Sequence, residues 1–148
     1  MILLCWIILI YIFYYVKFIE QNILKRLEFA KKSTNRVLLS AGLREAERVA
    51  DIIKSSGFAE KVSIAGSARR MKETIGDIDI LAASRQPAKL NEFFVKMPNV
   101  IDVLAKGGTK SSVKLKGGIQ VDLRIIDESI FGAALLYFTG NKEHNIVL

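Results

Sequence analysis

The sequence predicts an α+β domain in which a small mixed sheet carries helices packed on it. Two segments, residues 77–81 and 119–125, alternate as strands of a sheet do, with one face apolar. Other stretches of the chain place apolar residues at helical spacing, and only Pro87 and Pro98 add proline breaks. Strands and helices that are interspersed in this way are typical of an α+β structure.

The chain opens with an apolar segment, which we predict to be a helix. Residues 1–16 are all apolar or aromatic, and the first charge is Lys17. A bilayer span takes roughly 20 such residues, so the segment is borderline. If residues 1–19 are a membrane anchor, the basic residues that follow would keep the rest of the chain in the cytosol. The alternatives are a truncated or mis-started reading frame, or a helix that packs on a missing neighbour.

The elements that follow are placed by periodicity and by turn residues. An amphipathic helix is expected over residues 17–32 and a second over residues 43–56, closed by Gly57. Pro87 fits the first turn of a helix that ends near residue 97, and Gly140 closes a helix over residues 130–138. Strands are predicted over residues 61–65, 77–83, 100–105, 111–115 and 119–125.

The composition indicates a negatively charged partner but does not show which kind. The 148 residues carry 22 Lys and Arg against 15 Asp and Glu, a net charge of +7. This balance fits a polyanion, which is either nucleic acid or an anionic membrane surface. A single cysteine, Cys5, excludes an intrachain disulfide and favours a cytoplasmic protein. Nothing in the sequence indicates an oligomer.

The chemistry-bearing motif is Gly66-Ser67-Ala68-Arg69-Arg70, followed by Gly76-Asp77-Ile78-Asp79. Strand residues two apart point to the same face, so Asp77 and Asp79 should project side by side. Adjacent carboxylates repel each other unless a cation neutralises them, and Mg²⁺ prefers such oxygen ligands together with substrate phosphates. The Gly-Ser turn offers backbone N–H groups and a hydroxyl to phosphate oxygens, and Arg70 offers a rigid fork of donors. Together these residues predict a nucleoside triphosphate site.

A third carboxylate, Asp122, lies on the polar side of the strand over residues 119–125, together with Gln120 and Arg124. If this strand pairs with that of Asp77 and Asp79, the three carboxylates could hold two divalent ions about 3.5–4 Å apart. Such a site suits phosphoryl or nucleotidyl transfer, which depends on positioning and charge neutralisation.

The run from Gly66 to Asp79 resembles the palm signature of the family X DNA polymerases, the group of DNA polymerase beta, and the bacterial and archaeal branch most closely. Residues 119–124 resemble the strand with the family's third catalytic aspartate. Residues 137–141 resemble the passage from palm to nucleotide-selecting subdomain. The resemblance implies a nucleotidyltransferase palm. With the apolar run it divides the chain into four parts: an apolar segment (1–19), a helical lead-in (20–56), the palm (57–136) and the start of a truncated nucleotide-selecting, or thumb, subdomain (137–148).

The resemblance also implies roles. Asp77, Asp79 and Asp122 would be catalytic and would bind two Mg²⁺ ions, or Mn²⁺ in their place. The nucleotide-binding residues would be Gly66, Ser67, Arg70, Gly76, Tyr137, Phe138 and Gly140. Arg36, Arg124 and Lys114 are weaker candidates for contacts with triphosphate or DNA. Lys114 belongs to a lysine group around two glycine pairs, which either follows a phosphate backbone or is a solvated hairpin.

The implied activity is transfer of a deoxynucleotide from its triphosphate to a primer 3′-hydroxyl, on gapped or primer-template DNA, in DNA repair. The family's lyase-like and helix-hairpin-helix parts would precede residue 20, where this chain has the apolar run, and the chain stops as the thumb begins. Two alternatives therefore stay open. One is a stand-alone nucleotidyltransferase with a non-DNA acceptor. The other is an inactive, truncated fragment that binds nucleic acid and that residues 1–19 could tether to a membrane.

Overall fold

The computed structural model describes residues 17, 19, 20 and 36–147. The chain divides into two units between residues 35 and 36, and the second unit carries the fold described below. The predictions of an apolar helix over residues 1–19 and of a helix over residues 17–32 fall almost entirely outside the described residues. Within the described part of the chain, no helix has the length and apolar character that a bilayer crossing requires.

Residues 36–147 form seven strands and five helices. The strands are β1 (Val37–Leu38), β2 (Lys61–Ile64), β3 (Thr74–Ile75), β4 (Asp77–Ala83), β5 (Val100–Lys106), β6 (Lys110–Leu115) and β7 (Gln120–Ile126). The helices are α1 (Leu39–Ser55), α2 (Gly66–Arg69), α3 (Pro87–Val95), α4 (Phe131–Thr139) and α5 (Lys142–Val147), with a 3-10 turn over Glu128–Ile130.

Five strands form one mixed sheet in the order β2-β4-β7-β6-β5. Strands β4 and β7 run parallel, whereas the other neighbours pair antiparallel. The short strands β1 and β3 form a separate antiparallel pair. The predicted α+β class, a small mixed sheet with helices packed on it, is confirmed and is compatible with a polymerase beta-like palm.

The core lies where the apolar face of the sheet meets α1 and α3. Every second side chain is buried along β7 and over residues 77–80 of β4, so that the polar residues between them remain on the opposite face, whereas residues 80–83 of β4 are all buried. Burying each large aliphatic side chain stabilises the fold by about 1.5–3 kcal/mol. The large buried side chains of this core include Ile78, Ile80, Val121, Leu123, Val49, Ile53, Leu90 and Phe94.

Helix α1 begins at Leu39, earlier than the predicted start at residue 43. The residue before it, Leu38, makes no side-chain cap, so the sequence carries no polar start signal. Instead the Leu39 N–H donates to the carbonyl of Glu73 at 2.9 Å, which satisfies one free donor of the first turn. Because α1 shares the core with the sheet, it belongs to the same unit of the chain. The finer divisions at residues 57 and 137 stay predictions.

Candidate active site

The aspartates of the motif lie on the two parallel strands at the centre of the sheet. In the register of β4 and β7, Asp79 is the partner of Asp122, and Asp77 is the partner of Gln120. The residues that alternate with them, such as Ile78, are buried on the other face. The structure thus places Asp77, Asp79 and Asp122 on one face of two neighbouring strands.

This face concentrates negative charge. Burial is the main cause that raises the pKa of Asp79 from 3.8 to about 6, and repulsion by Asp77 and then by Asp122 adds to the rise. Attraction from Arg70 and Lys110 offsets part of it. Ionising Asp79 beside two other carboxylates is therefore costly when no cation is bound. A divalent cation between these side chains would stabilise their ionised forms.

The glycine-serine turn lies directly against this carboxylate group. The Ala65 N–H donates to the carbonyl of Asp79 at 2.9 Å, which fixes the end of β2 beside β4. Gly66 follows with a φ of 57° and opens the short helix α2. A side chain at position 66 would collide with the Asp79 carboxylate, so only glycine allows this approach.

A cleft of about 490 Å³ opens beside the turn, within the size range of ligand sites. It includes Asp77 and Asp79 and every predicted nucleotide-binding residue except Gly76. Sequence reasoning missed the contributions from α5 and the turn before it. The lining residues are Gly66, Ser67, Arg70, Asp77, Asp79, Tyr137, Phe138, Gly140, Asn141, Lys142, Asn145 and Ile146.

Three buried polar side-chain atoms lack a hydrogen-bond partner among the described residues: Ser67 Oγ, Arg70 Nε and Asn145 Oδ1. All three residues line the same cleft. A buried polar group without a partner costs about 1–3 kcal/mol, so native proteins keep few of them. Their concentration in one cleft marks it as a place where a polar ligand would supply the missing bonds.

Arg70 also joins the turn to the end of α4, because its Nη1 donates to the carbonyl of Thr139. This bond holds the guanidinium in the cleft beside Gly140. The rings of Tyr137 and Phe138 meet edge to face at 5.2 Å, and the Arg124 guanidinium lies 5.0 Å from the centre of the Phe138 ring. Arg124 is therefore attached to the wall of the cleft without lining it.

The remaining candidates lie outside the cleft lining. Arg36 donates from Nε to Thr74 Oγ1 at 2.9 Å and from Nη2 to the Thr74 carbonyl at 2.6 Å, and it passes close to Gly76. Lys114 lies on β6 opposite Gln120, on the polar face of the sheet. These positions do not show what Arg36 or Lys114 would bind. Their contacts with triphosphate or DNA stay predictions.

The aspartates are of the right chemical type for a divalent cation, but they do not form a closed set of ligands. Among the residues that the structure describes, no group of three or more Asp, Glu, His or Cys is arranged to hold a metal ion. The Asp122 carboxylate is engaged by other side chains. Its Oδ1 accepts a bond from Gln120 Nε2 at 2.7 Å, and its Oδ2 lies 3.4 Å from Lys110 Nζ.

No family model matches the chain. A known protein does: the DNA polymerase/3'-5' exonuclease PolX of Bacillus subtilis (strain 168) is 37% identical over 129 residues. The similarity covers 86% of this chain and 23% of PolX. The chain is related to a family X polymerase. It spans about a quarter of the length of PolX, and the similar stretch is long enough to contain the three aspartates and the glycine-serine turn together.

Proposed function

We propose that this chain carries the catalytic palm of a family X DNA polymerase, which transfers a deoxynucleotide to a primer 3′-hydroxyl in DNA repair. The observation that carries the proposal is the set of unpartnered donors at Ser67 and Arg70, in a cleft that also contains Asp77 and Asp79. Donors and carboxylates side by side suit a triphosphate bound together with divalent cations. The similarity to PolX supports a polymerase-type function.

In this proposal the chain's own residues do the binding and the orientation. The Ser67 hydroxyl and the Arg70 guanidinium donate to phosphate oxygens of the incoming deoxynucleoside triphosphate. Tyr137 and Phe138 lie along its sugar. Because Thr139 accepts a bond from Arg70, the phosphate side and the sugar side of the cleft are held at a fixed separation. Positioning of this kind is the main protein contribution to phosphoryl transfer.

The aspartates supply the ligands and the base. Mg²⁺ held by Asp77, Asp79 and Asp122 would neutralise the triphosphate charge and make the primer hydroxyl easier to deprotonate. Asp122 would orient that hydroxyl. The hydroxyl oxygen would form the new bond to the α-phosphorus as the bond to the leaving pyrophosphate breaks, and the Asp122 carboxylate would take the hydroxyl proton.

Calorimetry of a deoxynucleoside triphosphate with the full chain, with and without Mg²⁺, tests the site. We expect Mg²⁺-dependent binding that Asp77→Ala abolishes and that Arg70→Ala weakens by about ten- to a hundredfold, the value of one or two charged hydrogen bonds. The matched control is Arg69→Ala. Arg69 is the last residue of α2 and directly precedes Arg70, but it donates to Ser63 Oγ at 3.4 Å and lines a different cleft.

Equal losses in the two arginine variants, or binding that ignores Mg²⁺, would contradict the proposed site. Primer extension on gapped DNA then tests the acceptor. Incorporation that depends on Asp77 supports a polymerase. Triphosphate binding without any extension, alongside transfer to another acceptor, would instead favour a stand-alone nucleotidyltransferase.

A further inference from the structure

We propose that Lys110 is the resident counter-ion of Asp122, which a divalent cation must displace before Asp122 can act as a ligand, and that Asn91 positions it. The inference rests on the proposed function, because it concerns the same carboxylate. It goes beyond that function by naming what occupies Asp122 when no metal is bound.

The contacts around Asp122 leave neither carboxylate oxygen unengaged. Lys110 Nζ lies 3.4 Å from Oδ2, and Gln120 Nε2 donates to Oδ1 at 2.7 Å. The Asp122 side chain is only 14% exposed, whereas that of Lys110 is 44% exposed. A partly buried carboxylate needs a charged or hydrogen-bonding partner, and here the chain provides both. Lys110 can leave toward solvent, while Asp122 cannot.

The sheet register brings Lys110 to this place. On β6, Ser112 is the partner of Asp122, and Lys110 stands two residues away on the same face, opposite Arg124. Residues on one face of neighbouring strands are within reach of a long side chain along the diagonal. The pairing of β6 with β7 therefore places Lys110 within reach of Asp122.

Asn91 fixes the turn from which Lys110 extends. This residue of α3 is 2% exposed, and its Nδ2 donates to the carbonyls of Gly107 at 2.8 Å and Gly108 at 2.7 Å. Its Oδ1 accepts from Ser111 Oγ at 2.9 Å. The turn is thereby held on both sides of Lys110. A fully satisfied buried polar network of this kind gives one defined conformation.

The ammonium of Lys110 and a divalent cation would compete for the same oxygen. An ammonium donates along a hydrogen bond to one carboxylate, whereas a divalent ion shared by Asp77, Asp79 and Asp122 needs that oxygen turned toward the other two aspartates. In this proposal Lys110, while it is in place, keeps Asp122 from acting as a ligand together with Asp77 and Asp79, although the three carboxylates share a face.

Binding of Mn²⁺ alone to the full chain, measured by electron paramagnetic resonance of the free ion, tests the competition. We expect Lys110→Met to bind Mn²⁺ about two- to fivefold more tightly, as release from one partly exposed ion pair predicts. Lys110→Arg, which keeps the charge, should remain within about twofold of the wild type. Lys116→Met is the matched control for loss of charge alone, since Lys116 lines a separate cleft beside α1.

Two further variants test the positioning role and the contact itself. Asn91→Ala should tighten Mn²⁺ binding by a smaller factor, a change that lower stability alone would not produce. In the presence of EDTA, the shifts in melting temperature of Lys110→Met and Asp122→Asn should not add in the double variant, because both remove the same pair.

The outcomes separate this inference from the function on which it rests. If the wild type binds Mn²⁺ through Asp77 but Lys110→Met and Lys116→Met change the affinity equally, only the counter-ion role is overturned. Additive melting shifts in EDTA would overturn it as well. If neither wild type nor Lys110→Met binds Mn²⁺, while the melting shifts in EDTA are still non-additive, the proposed metal site fails and displacement fails with it.

Discussion

Gly66 and Asp79 approach each other so closely that a Cβ atom built on Gly66 would lie 1.9 Å from Asp79 Oδ2. The contact joins the phosphate-binding turn of the proposed site to its central carboxylate. Gly66 also has a φ of 57°, a conformation that L side chains adopt only with strain. Space and backbone conformation therefore require glycine for two separate reasons.

This relationship predicts that Gly66→Ala costs about 2–4 kcal/mol of unfolding free energy and abolishes triphosphate binding. Gly57→Ala is the control for strain alone, because Gly57 has a φ of 73° but nothing lies within 4 Å of its Cβ position. We expect Gly57→Ala to cost only about 0.5–1 kcal/mol and to leave binding unchanged. Urea unfolding and calorimetry measure both effects. Equal losses of stability would show that the collision with Asp79 carries no cost.

Asp79→Asn should stabilise the metal-free protein at neutral pH. The folded-state pKa of about 6 exceeds the ordinary value of 3.8, so ionising Asp79 costs more in the folded than in the unfolded chain. The penalty is absent below pH about 4, grows between pH 4 and 6 and is constant above. We expect a gain of roughly 1–3 kcal/mol at pH 8 that disappears at pH 4, from urea unfolding in EDTA.

The control for that gain is Asp102→Asn, which removes an exposed carboxylate from β5, at the edge of the sheet. Its effect should stay within about 0.5 kcal/mol at both pH values. An Asp79→Asn variant that is no more stable than the wild type at pH 8 would contradict the crowded charge at the centre of the site.

Asn91→Ala should destabilise the chain by about 2–3 kcal/mol, because it leaves two glycine carbonyls and a serine hydroxyl without their partner. Asn99→Ala is the matched control, since that side chain is only half-buried. Thermal unfolding compares the two. Hydrogen exchange at the Ser111 amide should rise in the first variant only, and unchanged protection there would contradict the anchoring role of Asn91.

Gly42→Ala should destabilise α1, although glycine-to-alanine changes inside helices usually stabilise them by about 1 kcal/mol. A Cβ on Gly42 would lie 2.1 Å from Cδ1 and 2.6 Å from Cγ1 of Ile75, which is fully buried. We expect a cost of about 1–3 kcal/mol. In an Ile75→Ala background the same change should be neutral or stabilising. An unaltered loss of stability there would contradict a collision with Ile75 as the cause.

Side-chain alternation was sufficient to predict β4 with its correct bounds, and β7 within one residue, together with the polar face that holds the three aspartates. Alternation is a local property, and it is visible along β7 and over residues 77–80 of β4, where one face is buried and the other carries the polar residues. The helix α3 was predicted from Pro87 and its start is confirmed. Its end at Val95 comes two residues early because the next N–H groups close the turn onto Phe93 and Phe94.

Other features depend on distant pairing and left no local signal. Strands β1 and β3 have two residues each, and α2 has four, which is too few to show any period. The contribution of Asn145 to the cleft depends on where α5 packs. The ion pair of Lys110 with Asp122 depends on the register of β6 against β7, which no single segment encodes.

The order of the sheet has a consequence for the chain as it leaves the ribosome. The last strand to be synthesised, β7, fills the centre between β4 and β6. Until it emerges, the earlier strands can form only two separate ribbons, each with an open inner edge of unsatisfied amides and carbonyls. The proposed site therefore cannot form before β7 has been synthesised. We expect stalled chains that end before residue 120 to need chaperones.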